Sequence, residues 1–270
     1  MAVRRGQVAA DTFTMDYFAF GRGKKTFVIL PGLSVQSVMG AAGAVEAGYA
    51  AFSEEYTVYV FDRRLDLPPV YRIEDMARDT AEAMRALSLS EVYLFGASQG
   101  GMIALMIAAR YPGLVRKLVL GSASANVPAG RMGALDEWIR LARERDGEGL
   151  YLAFGREIYP PAVFEAYREA LSEAGKTVSD EEFERFIILA QGIRGFRAVE
   201  ELDRISCPVL AIGSFEDRVL DSDDTMEIAE RLERREDFRL YMYTGYGHAA
   251  FDTAPDYRER IFRFFAEEKT

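Results

Sequence analysis

Short, uninterrupted apolar runs recur along the chain: Thr26-Phe27-Val28-Ile29-Leu30, Thr57-Val58-Tyr59-Val60-Phe61, Val92-Tyr93-Leu94-Phe95, Lys117-Leu118-Val119-Leu120 and Pro208-Val209-Leu210-Ala211-Ile212-Gly213. Runs of this length that do not alternate with polar residues predict strands buried on both faces. Thr14–Phe20 and Phe238–Tyr243 read as further strands. Between the runs the spacing changes. Ile73, Met76, Ala77, Ala83, Met84 and Leu87 share a helical period, which predicts a helix over 73–87. Helices are also expected at about 40–54, 102–110, 225–234 and 255–267. Strands alternating with helices predict an α/β fold built on a mostly parallel central sheet with helices on both faces.

The alternation stops at Asn126. From there to about Asp203 the pattern is helical, with aromatics mixed among charged residues, before the strand–helix rhythm resumes. The expected organisation is a core over 1–125, a helical cap over 126–203 and the rest of the core over 204–270. Trp138, Tyr151, Phe154, Tyr159, Phe164, Tyr167, Phe183 and Phe186 make the cap aromatic-rich. Most of them are expected to fasten it to the core, and a few to line a pocket.

A length of 270 residues with 49% apolar residues suits one large α/β domain carrying an insertion. No apolar run reaches the ~20 residues of a membrane span, and the first residues lack the apolar stretch of a secretory signal. The single cysteine, Cys207, has no partner for an internal disulfide and no metal-binding cluster around it; a buried small hydrophobe is the expected role. A formal charge of −10 opposes binding to phosphate backbones or anionic membranes and otherwise serves solubility. A cytoplasmic protein with no nucleic-acid or membrane partner is expected.

The chemistry concentrates at two places. Leu94-Phe95-Gly96-Ala97-Ser98-Gln99-Gly100-Gly101 places a G-x-S-x-G motif between a strand and an apolar helix. In so tight a turn, glycines at 96 and 100 avoid Cβ clashes and the serine hydroxyl is lifted clear of the sheet. The N–H of Gln99, at the start of the helix, is placed to hold an oxyanion. A serine hydroxyl becomes a competent nucleophile only when a base takes its proton. The chain has one histidine, His248, in the loop Gly245-Tyr246-Gly247-His248-Ala249-Ala250 after the last strand. An acid to orient it is offered by Glu216 or Asp217 at the end of an earlier strand; Asp221, Asp223 and Asp224 are expected to cap the next helix. No carboxylate occurs in 121–125, so the alternative acid position there is empty.

The strand–turn–helix motif and the order Ser98, Asp217, His248 resemble the α/β-hydrolase superfamily, in its cap-bearing form. The resemblance runs through nearly the whole chain, although the cap carries no motif. It implies Ser98 as nucleophile, His248 as base and Asp217, rather than Glu216, as the orienting acid. It also implies the backbone N–H of Leu33, with Ser34 as the alternative, beside that of Gln99, in the oxyanion hole. The chain departs from the family pattern twice: Pro31 replaces the usual histidine before Gly32, and Arg63-Arg64-Leu65-Asp66-Leu67-Pro68-Pro69 replaces a glycine-rich turn. The implied activity is hydrolysis of a small, substantially apolar carboxylic ester or related acyl compound, with no cofactor. Carbon–carbon bond hydrolysis, acyl transfer and a ligand-receptor role use the same residues and remain open.

Overall fold

In the computed structural model, which describes residues 2–130 and 133–267, the buried runs line up in one eight-stranded sheet. Its strands are β1 (Arg4–Ala9), β2 (Thr14–Gly21), β3 (Lys25–Leu30), β4 (Tyr56–Arg64), β5 (Val92–Ala97), β6 (Val115–Gly121), β7 (Val209–Ser214) and β8 (Phe238–Tyr243). The spatial order is β1-β2-β4-β3-β5-β6-β7-β8. β1 and β2 run antiparallel to their neighbours and all other pairings are parallel.

Helices α1 (Ala42–Gly48), α2 (Ile73–Ala86) and α3 (Gln99–Arg110) follow β3, β4 and β5. Four more lie between β6 and β7: α4 (Gly133–Arg143), α5 (Gly147–Ile158), α6 (Pro161–Gly175) and α7 (Asp180–Gln191). α8 (Ser222–Leu232), α9 (Ala250–Thr253) and α10 (Tyr257–Ala266) complete the set. One side of the sheet is filled by side chains such as Met76, Leu105, Trp138, Phe186 and Ile228. The other is closed by an aromatic cluster in which Phe27 meets Phe52 and Phe265 at 5.0 and 5.1 Å between ring centroids. No helix among the described residues is long and apolar enough to cross a membrane.

Three elements differ from the sequence reading. β1 gave no strand pattern because only Val8 in it is buried; it is an edge strand held by pairing to β2. The helix expected at 40–54 breaks into a 3₁₀ turn at Val38–Ala41, α1, and a second turn at Ala50–Phe52. Gly40, Gly43 and Gly48 give that stretch little helical preference. Arg63 and Arg64, read as the start of a turn, instead continue β4, and the chain leaves the sheet at Leu65.

The sheet order places a reversal between β3 and β5. The chain leaves β3 for β4 on one side and β5 for β6 on the other. The loops at the ends of these two strands therefore diverge and leave a crevice, the usual ligand position in open α/β sheets.

Candidate active site

Ser98 stands at that crevice, between β5 and α3, with φ 52° and ψ −122°. This conformation is costly for a residue with a side chain and persists only where its surroundings impose it. They do so here. The Ser98 N–H donates to the Gly121 carbonyl at 2.8 Å, and its carbonyl accepts from the N–H groups of Gly101 and Met102. The flanking glycines are required by contact: a Cβ at Gly96 would lie 2.2 Å from the Gly100 oxygen, and one at Gly100 would lie 2.1 Å from the Leu30 oxygen.

The loop after β3 passes close by. A Cβ added at Gly32 would come within 3.2 Å of the Ser98 Cβ. The N–H groups of Leu33, next in that loop, and of Gln99, first in α3, donate to no other described residue. Both are therefore free to serve an incoming acceptor.

His248 is buried, and its Nδ1 lies 2.8 Å from Asp217 Oδ2. The second carboxylate oxygen of Asp217 accepts from the N–H groups of Val219 and Leu220 at 2.9 and 3.1 Å. Burial alone would raise the Asp217 carboxyl. The charge and hydrogen bond of His248, with the amides of Leu220 and Val219, outweigh it and hold the group below the usual carboxylate range. Glu216 takes a different place: its Oε2 accepts from the Gly245 N–H at 2.6 Å, at the start of the loop that carries His248.

Two further groups hold that loop, and sequence reasoning had not singled them out. Ser122, at the end of β6, donates to the His248 carbonyl at 2.8 Å, and the Ala249 N–H donates to the Ile158 carbonyl of α5 at 2.9 Å. Asp224, expected to cap α8, is instead buried and accepts from the Ser124 hydroxyl at 3.0 Å; Asp221 is the capping residue.

Arg63 is the other surprise. Its guanidinium is buried behind the site and donates to the Pro31 carbonyl at 2.8 Å and to Gln99 Oε1 at 3.2 Å, while its Nε has no partner among the described residues. Burial brings its pKa down to about 10. The Gln99 amide in turn donates to the Leu189 carbonyl of α7 at 2.7 Å. One buried cation thus ties together the two loops that present Leu33 and Gln99. The Arg63-Arg64 pair marks a departure from the family pattern in the sequence but gives no sign of this tie.

Ser98 and His248 line the same cavity of about 710 Å³. Its walls come from the loop after β3 and from α4, α5 and α7, including Trp138, Tyr151 and Phe154. Of the other aromatics in 126–203, Tyr159 also lines it, Phe164, Phe183, Phe186 and Phe196 are buried, and Tyr167 is exposed. Cys207 is buried away from this cavity.

Comparison with known proteins agrees with this architecture. The family described as "Alpha/beta hydrolase family" matches residues 27–259. The "Putative carbamate hydrolase RutD" of Pantoea ananatis is 25% identical over 241 residues, covering 86% of this chain and 84% of that one. The "Serine hydrolase BPHL" of Mus musculus is 30% identical over 135 residues, 47% of this chain and 45% of the relative. Among solved structures, MGS-M2, an alpha/beta hydrolase enzyme from a Medee basin deep-sea metagenome library, superposes with a TM-score of 0.86 at 20% identity, covering 98% of each chain. The enol-lactonase from Burkholderia xenovorans LB400 gives 0.81 at 18%, covering 97% of this chain and all of that one.

Proposed function

Since the chain belongs to the alpha/beta hydrolase family, we propose that it is a serine hydrolase acting on a small, substantially apolar carboxylic ester or related acyl compound. The observation that carries this reading is the buried Asp217–His248 hydrogen bond, made by a histidine that shares a cavity with Ser98. Ser98 Oγ attacks the acyl carbonyl while His248 Nε2 takes its proton. Asp217 holds Nδ1–H and so keeps Nε2 free to accept. The N–H groups of Leu33 and Gln99 receive the oxyanion, at the helix end where the α3 dipole also favours negative charge. The proton returns from His248 to the leaving group, and the same groups then activate water to release the acyl chain from Ser98.

Carbamates are acyl compounds too, and several relatives carry that name. The aromatic and aliphatic walls of a cavity of about 710 Å³ favour a longer apolar acyl group over a small charged one. Labelling with a fluorophosphonate, followed by p-nitrophenyl esters of graded chain length, tests the assignment. Failure to label Ser98 would overturn it.

The helices between β6 and β7 take the part of a cap that selects substrate. Each methylene buried against them is worth ~0.8 kcal/mol. Phe154→Ala is expected to reduce kcat/KM for a hexanoyl ester severalfold more than for an acetyl ester. An equal reduction for both chain lengths would limit this segment to a structural part.

A further inference from the structure

The cavity is apolar over most of its wall, with one charged exception. Glu182, in the first turn of α7, lines it together with Gln36 and Tyr151. The three are hydrogen-bonded in series: the Tyr151 hydroxyl donates to Gln36 Oε1 at 2.9 Å, and Gln36 Nε2 donates to the Glu182 carboxylate at 3.2 and 3.3 Å. The carboxylate also accepts from the Ser179 N–H at 2.9 Å. These are neutral donors, and the charge itself has no counter-ion among the described residues. Among the described residues, no lysine or arginine lines the cavity.

The neighbouring guanidinium groups are engaged elsewhere. Arg185, one turn further along α7, donates to Asp62 Oδ1 at 2.8 Å and to the Arg64 carbonyl at 2.9 Å. Arg63 donates to Pro31 and Gln99. A second carboxylate, Asp252, accepts from Tyr159, another lining residue, and has Arg258 3.8 Å away. Burial, and after it the charge of Glu182, push the Tyr151 hydroxyl up to about 12, so the negative charge is felt within the cavity wall.

We infer that this cavity selects acyl compounds whose far end carries a cationic nitrogen over those that carry a carboxylate, with Glu182 as the selecting group. A second carboxylate would have to shed water beside Glu182 without a counter-ion, and like charges brought together at a binding surface are costly. A quaternary or protonated nitrogen would meet a carboxylate whose charge has no counter-ion among the described residues, in a cavity also lined by the aromatic side chains of Tyr151, Trp138 and Phe154. The inference rests on the reading of this cavity as the acyl-binding site.

The test uses three p-nitrophenyl esters of matched acyl length ending in trimethylammonium, in its neutral isostere tert-butyl, or in carboxylate. The expected order of kcat/KM is trimethylammonium, tert-butyl, carboxylate, with roughly tenfold or more between the extremes. Glu182→Gln retains the helix-capping position, since glutamine serves it equally, and removes the charge. In that variant the trimethylammonium to tert-butyl ratio should fall toward one. Glu181→Gln, at the exposed neighbouring residue, makes the same change in net charge and should leave the ratio intact.

Binding of hexyltrimethylammonium and of heptanoate to the wild-type protein and to Glu182→Gln, by calorimetry, reads the same selectivity without turnover. Preference for the carboxylate, a ratio indifferent to Glu182→Gln, or equal effects of both glutamine variants would each overturn the inference. Selective ammonium binding without ester turnover would leave it standing and remove the hydrolase reading. Turnover without charge selectivity would do the reverse.

Discussion

Ser98→Ala is expected to lower kcat by on the order of 10⁴–10⁶ while the fold persists. The size follows from what the hydroxyl alone supplies in the proposed reaction: with Oγ gone there is no covalent route, and only binding and the oxyanion donors remain to assist water. The fold should survive because the turn is held by backbone contacts, namely the Ser98 N–H to Gly121, its carbonyl to Gly101 and Met102, and the Gly96–Gly100 approach. Alanine preserves all of these. Burst kinetics with a p-nitrophenyl ester and a fluorophosphonate adduct mapped to the peptide bearing residue 98 provide the measurements. Unchanged activity in a preparation free of other esterases would place the nucleophile elsewhere.

The elbow was legible in the sequence because its physical demands leave few residue choices. Backbone atoms approach positions 96 and 100 so closely that glycine alone fits, and the motif is the trace of that contact. The buried strands were legible for a similar reason: β5 is buried at every position and carries no polar residue to confuse its period. β1 was not, since an edge strand held by backbone pairing needs little from its side chains.

The layer behind the site was also invisible in advance. Ser122 is 126 residues from His248, and Arg63 is 36 from Gln99; serine and arginine singly carry no pattern, and only the sheet order brings these pairs together. The place of Glu216 shows the same thing at short range. Its neighbour Asp217 reaches the imidazole, while Glu216 meets Gly245 at the other end of the same loop. Both residues lie in the turn that follows β7, where strand alternation no longer sets side-chain direction, so the sequence spacing does not say which of the two faces the ring.

Asp217→Asn should lower kcat by on the order of 10⁴ with little change in KM, and the reason lies in the far oxygen. Asp217 Oδ1 already accepts two N–H groups, from Val219 and Leu220. An asparagine must keep its carbonyl oxygen there, because turning its amide toward those donors would set N–H against N–H. The amide nitrogen is then forced to face His248 Nδ1, which must accept rather than donate. The ring proton moves to Nε2, and the atom needed to take the Ser98 proton is occupied.

The same carboxyl leaves a mark on stability. Its native pKa lies below the ordinary value of about 3.9. The ionised form therefore contributes stability that is fully present above that value and is lost as pH falls through the lower native one. The stability difference between wild type and Asp217→Asn, measured by denaturant titration, should narrow as pH falls below about 4. Wild-type-like turnover in Asp217→Asn, together with a large loss in Glu216→Gln, would transfer the orienting role to Glu216.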